Sequence, residues 1–185
     1  LQEGGRPMFE VRLALAALSV GTWGIYGPAM ELLEATPVRP GSEEYLDSEK
    51  YQLRHRDLDA PGSLAPFIAP LNAIRRAEPA LARDRPPLVQ HLDDDHLLAW
   101  ARHDAASGNT ILVVVNLEPD VPRAGLLRLD RAALGIDASQ AIGVHDLLTA
   151  EEERWPPAFD PRLVCTPDRP LRILRLTPEV CPDGS

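Results

Sequence analysis

Ile111-Leu112-Val113-Val114-Val115 is an unbroken run of aliphatic, mostly β-branched side chains, and it decides the fold of the half of the chain around it. The run follows Ala105-Ala106-Ser107-Gly108-Asn109, whose small and turn-forming residues have the chemistry of a hairpin loop. It therefore reads as a central strand entered through a tight turn. Further short β-prone runs lie on either side: Leu88 to Leu92, His96 to His103, Gly125 to Leu129, Ile142 to Leu148 and Leu171 to Leu176. Their spacing, broken by turn signals, predicts a small antiparallel β-sandwich over residues 87–185.

Upstream of Arg83 to Pro87, a stretch rich in charge and proline that reads as a boundary, the pattern changes. Pro7 suits the first turn of a helix, and Phe9, Leu13, Ala16 and Ala17 recur at helical spacing, which predicts a mostly buried helix over residues 7–19. Gly21-Thr22-Trp23-Gly24-Ile25-Tyr26-Gly27-Pro28 is short, aromatic and β-prone between glycines, as in a buried strand opening into a loop at its carboxyl end. A single helical turn fits Ala29 to Leu33, after which Pro37, Pro40 and Gly41 break any regular pattern as far as Lys50. A second helix follows, capped within Asp59 to Ser63 and carrying Leu64, Phe67, Ile68, Leu71, Ile74 and Ala77 three or four residues apart, with Arg75 and Arg76 at its dipole-negative end. The fold class is thus α/β over residues 1–82, followed by all-β over residues 87–185.

The net charge of −9 excludes a phosphate-backbone partner, because nucleic-acid binding draws on clustered Lys and Arg, and this sequence scatters its arginines and holds one lysine, Lys50. The longest apolar stretches fall short of the roughly 20 residues a membrane helix needs, so no membrane partner is expected. Cys165 and Cys181 are too few for a disulfide framework and lack metal-site spacing, which makes a reducing cytoplasm the simplest home. The chain opens in the polar run Leu1-Gln2-Glu3-Gly4-Gly5-Arg6-Pro7 with no initiator methionine, as a fragment would.

One family carries this order of elements together with specific text: Gly24-Ile25-Tyr26-Gly27-Pro28-Ala29, Glu31-Leu32, and then Arg39-Pro40-Gly41-Ser42-Glu43-Glu44-Tyr45-Leu46-Asp47-Ser48-Glu49-Lys50-Tyr51. Later matches include Asn72-Ala73-Ile74-Arg75-Arg76-Ala77-Glu78-Pro79-Ala80-Leu81, Val114-Val115-Asn116-Leu117 and Val144-His145-Asp146-Leu147-Leu148. The sequence resembles the α-1,4-glucan:maltose-1-phosphate maltosyltransferases (GlgE-type) of glycoside hydrolase family 13. The resemblance implies that residues 1–82 are the last helices and final strand of a (β/α)8 TIM barrel, and residues 87–185 its C-terminal β-sandwich. Barrel active sites lie at the carboxyl ends of the strands, where the loop after Tyr26 would sit. The resemblance further implies substrate-binding roles for Lys50 and Tyr51 at the phosphate of α-maltose 1-phosphate. It also implies an α-1,4-glucan acceptor, a homodimer for the whole enzyme, and no cofactor or metal. An ammonium and a phenol suit phosphate oxygens.

The sequence departs from the family pattern at Met30, Leu33 and Arg56, where an aromatic residue, a cysteine and a tryptophan are expected. The family's catalytic carboxylates would all lie upstream of Leu1. A retaining mechanism needs two carboxyl groups about 5 Å apart across the scissile bond, so this chain alone is expected to be inactive.

Other residue clusters have plainer readings. Glu43, Glu44, Asp47 and Glu49 read as loop acids, and Asp93-Asp94-Asp95 with His91 and His96 as a solvated hairpin turn. His145 and Asp146 are adjacent in a predicted strand and so point to opposite faces. Trp23 reads as core, while Tyr26 is open to packing or to sugar stacking. Three functions remain: part of the maltosyltransferase, a non-catalytic glucan-binding or interaction module, or a related amylase-like enzyme such as a trehalose synthase.

Overall fold

The computed structural model describes residues 4–25, 28–42, 44–46, 53 and 55–179. Among these residues, four helices precede eight strands: α1 (Gly5–Ser19), α2 (Pro28–Glu31), α3 (Ala65–Ala77) and α4 (Pro79–Ala82), then β1 (Leu88–Leu92), β2 (Leu97–Asp104), β3 (Asn109–Asn116), β4 (Arg123–Arg128), β5 (Ile142–Asp146), β6 (Glu152–Trp155), β7 (Arg162–Cys165) and β8 (Leu171–Pro178).

The strands form one eight-stranded sheet in the order β6-β5-β8-β3-β2-β1-β4-β7, and every pairing is antiparallel. β3 lies inside it, paired to β2 through Asp104–Asn109 to Leu97–Asn116 and to β8 through Val115–Leu171 to Thr110–Leu176. Its unbroken apolar text has a direct cause. Ile111, Val113 and Val115 face a core built with the helices, while Leu112 and Val114 face a second core on the other side of the sheet. A strand covered on both faces has no reason to alternate with polar residues.

The first core joins Phe9, Leu13, Ala17 and Leu18 of α1, Ile68, Leu71 and Ile74 of α3, and Leu81 of α4 to Trp100 of β2 and Ile173 of β8. The helices therefore lie directly on the sheet. Glu78, buried between α3 and α4, pins them there by receiving the Arg175 guanidinium of β8 and the Asn109 amide at 2.6 Å. The Asn109 side-chain oxygen Oδ1 in turn accepts the first helical N–H of α4, from Ala80, at 3.0 Å.

The second core is closed by the sheet itself. Leu127 of β4, Leu163 and Cys165 of β7, Ile142 and Val144 of β5, and Trp155 of β6 pack in one cluster with Ala99, Ala101, Leu112, Val114 and Leu174 of the central strands. The expected β-sandwich is thus corrected in one respect: its two layers are not separate sheets but one curled sheet. β1 makes the corner, pairing with β2 through Leu88–Gln90 and then with β4 through His91 and Leu92, as strands do where a sheet folds over. Gly125 of β4 sits at that corner, where a Cβ would lie 3.1 Å from Leu92 Cδ2 and 3.2 Å from Leu97 Cδ1.

A second expectation also changes. Residues 22–25 form no strand, and no strand partner lies beside them among the described residues. The carbonyls at the end of α1 and just beyond it go to side chains of α3 and β2 instead. Arg75 donates to Ala17, Val20 and Gly21, Arg102 donates to Ser19 and Arg83, and the Trp100 indole reaches Leu18. Burial lowers the pKa of both guanidinium groups, and Arg102 is lowered further by its neighbour Arg75.

Candidate functional site

The loop between α2 and α3 carries the motif that the sequence singled out, and it is built as a tied structure. Its neck is closed twice. Leu64 N–H donates to Glu31 O at 2.7 Å, and the Arg56 guanidinium grips both oxygens of Glu34, at 2.7 and 3.0 Å. Inside the neck, Val38 N–H donates to Glu44 O at 2.8 Å and Leu46 N–H to Thr36 O at 2.7 Å, a short antiparallel ladder around Pro37 and Tyr45.

Arg39-Pro40-Gly41-Ser42 turns that ladder, with Ser42 N–H on Arg39 O at 3.0 Å and Gly41 at φ +76°. Only glycine takes that conformation without cost, which explains the glycine of the motif. At the loop's start, Leu33 holds φ +58°, a left-handed conformation costly to a branched residue. Leu33 and Met30 both pack against the helical core, as does Trp23, in keeping with its reading as a core residue.

Lys50 and Tyr51, the expected phosphate ligands, lie outside the described residues, as do Tyr26, Glu43, Asp47 and Glu49. The structure brings together the loop that flanks them: the ladder on one side and the Arg56–Glu34 pair on the other. Arg56, one of the departures from the family pattern, has a side chain only 8% exposed and serves as a clamp. A bidentate guanidinium–carboxylate pair fixes orientation as well as distance.

The other clusters have structural duties. Asp93 accepts the Leu126 N–H at 2.6 Å and Asp94 the His96 N–H at 2.8 Å, so both carboxylates order backbone at turns. Among the described residues no three His, Cys, Asp or Glu side chains gather as metal ligands would. His145 lies toward Glu152, its Nδ1 3.6 Å from a carboxylate oxygen, while Asp146 points into the protein.

Asp146 is the hub of an ion network that sequence reasoning missed. Its carboxylate receives Arg169 at 2.6 Å and Arg172 at 3.2 Å, and also accepts the Leu148 N–H at 3.0 Å. Arg172 continues to Glu153 at 2.7 Å and Arg169 to Glu151 at 2.7 Å. Burial works to raise the pKa of Asp146, but the arginines and the Leu148 N–H outweigh it and hold the carboxyl below the usual range. The only available signal was a His-Asp pair in a strand, which gives the face but not the partners.

The architecture defines the class first. Helices laid on a curled antiparallel sheet are shared with the crystal structure of gamma-CGTASE from an alkalophilic Bacillus clarkii, which aligns with a TM-score of 0.60 over 99% of this chain and 24% of that one, at 16% identity. The likeness is one of fold. Residues 89–176, just under half of the chain, match the family described as "GLGE, C-terminal". It is 48% identical over 159 residues to the α-1,4-glucan:maltose-1-phosphate maltosyltransferase of Corynebacterium glutamicum, covering 84% of this chain and 23% of the relative. The enzyme of that name from Mycolicibacterium smegmatis matches over the same shares at 48%, and that of Salinibacter ruber at 40% over 96% of this chain and 26% of its own. The chain thus spans about a quarter of the length of these curated relatives.

Proposed function

We propose that this chain is the C-terminal part of a maltosyltransferase that moves maltosyl units from α-maltose 1-phosphate to the non-reducing end of an α-1,4-glucan. The observation that carries this reading is the identity of 40–48% with maltosyltransferases over 84–96% of the chain, a span long enough to include the tied loop. In this reading residues 1–82 complete a (β/α)8 barrel and residues 87–185 form the domain that follows it. The whole enzyme works in the cytoplasm as a homodimer, and its reacting carboxylates belong to the remainder of the barrel.

The chain's own part is to hold the donor's phosphate. The neck at Glu31/Leu64 and Glu34/Arg56 ties both ends of the loop whose sequence carries Lys50 and Tyr51. A charged hydrogen bond to phosphate contributes about 1.5–3 kcal/mol.

The test joins this chain to the preceding part of the M. smegmatis enzyme and follows phosphate release from α-maltose 1-phosphate with glycogen as acceptor. Lys50→Ala should lower kcat/KM for the donor by about 10- to 100-fold and leave the response to acceptor concentration unchanged. A joined protein that hydrolysed starch and ignored the phosphate donor would overturn the reading.

A further inference from the structure

Where the first turns of α1 and α3 meet the turns after β5 and β7, the surface opens into a cleft of about 340 Å³. No function has yet been assigned to it. One wall is apolar, with Pro66, Phe67 and Pro70 of α3 in a row, and the rim is charged, with Arg6, Glu10, Asp168 and Arg169. Its volume lies at the lower end of ligand pockets.

Two charges of the rim are spent on each other, and a third on carboxylates outside it. Arg6 Nε donates to Glu10 at 2.8 Å, and Arg169 is held by Asp146 at 2.6 Å and Glu151 at 2.7 Å. An anion would find both guanidinium groups already neutralised, and a cation would meet Arg6 beside Glu10. A wholly apolar ligand would bury the rim without pairing it. What fits is a neutral molecule whose hydroxyls donate to carboxylates and accept from guanidinium groups, and whose C–H faces lie on Phe67 and the prolines. A sugar ring has that chemistry.

We propose that this cleft binds a short stretch of α-1,4-glucan, with Phe67 and Pro70 under the ring faces and Glu10 and Asp168 accepting from hydroxyls. The choice of α-1,4-glucan among neutral sugars rests on the function proposed above. Burial pushes the Glu10 carboxyl up despite its partner Arg6, as expected of an acceptor set partly out of water. Arg6 also donates to Gly62 O at 2.8 Å, just before the residues that tie off the motif loop, so a bound sugar touches a group that holds the loop's exit.

Calorimetry of maltoheptaose against the 185-residue chain tests the site. Saturable heat is expected, weakened at least about tenfold by Asp168→Ala, which changes only an exposed turn residue, and by Phe67→Leu, which keeps apolar bulk but removes the flat face. Lys50→Ala should leave this binding unchanged. No heat from the wild-type chain, equal heat from all three variants, loss of binding in Lys50→Ala, or displacement of maltoheptaose by inorganic phosphate would each overturn the assignment. Absent heat alongside phosphate release in the joined enzyme removes this site alone. Sugar binding here alongside no use of the phosphate donor removes the proposed reaction alone.

Discussion

At the scale of single residues, Asp146 is a buried carboxylate shared by two arginines. Its carboxylate is 1% exposed and faces two arginines, so removing it leaves positive charge without its partner in a buried place. Asp146→Ala should destabilise the fold by about 3 kcal/mol in urea unfolding, the scale found when one member of a buried pair is deleted. The sign of the pH response follows from the lowered pKa. Between the unfolded value, near 3.9, and the lower folded value, the unfolded chain binds more protons, so stability rises with pH there. The contribution of Asp146 is complete above about pH 4 and is lost as acid carries the solution down through its folded pKa. Asp146→Asn should flatten that part of the stability curve, and an unchanged acid limb would mean that other carboxylates set it.

Elements show where the sequence was legible. Residues 64–77 announced α3 by apolar spacing, and the observed helix is Ala65–Ala77, because an amphipathic face against one core leaves a regular trace. The six longer strands were legible as β-prone apolar runs between turn signals, β3 unbroken because both its faces are covered. β6 and β7 were not: each has four residues, and β6 buries only Trp155. Their identity as strands comes from pairing with β5 and β4 at the ends of the sheet, a tertiary fact. In the loop, the Arg-Pro-Gly-Ser turn could be read from text, but the Arg56–Glu34 clamp joins residues 22 positions apart, and no local pattern marks it. That clamp is testable within its own element. Arg56→Ala should speed amide hydrogen exchange at Val38 and Leu46, whose N–H groups close the ladder inside the neck, while exchange in β3 stays slow. Equal protection in the variant would show that the ladder stands without the clamp.

Across the whole molecule, the helices and the sheet share one core, and Glu78 ties the two together at the seam. Cooperative units follow shared burial rather than chain order. Helical circular dichroism and Trp fluorescence should therefore be lost in a single urea transition with one midpoint. An earlier loss of helix would show that the sheet stands by itself. The corner at β1 has a consequence for the protein among its neighbours. By passing from β2 to β4 it joins what would have been two sheets, and among the described residues only β6 and β7 remain as outer strands. Both are short, and prolines at Pro156, Pro157 and Pro161 stand at their ends, where the backbone has no N–H to offer. A protein rich in strands thus presents little template for another molecule to add to, and is protected from edge-to-edge aggregation.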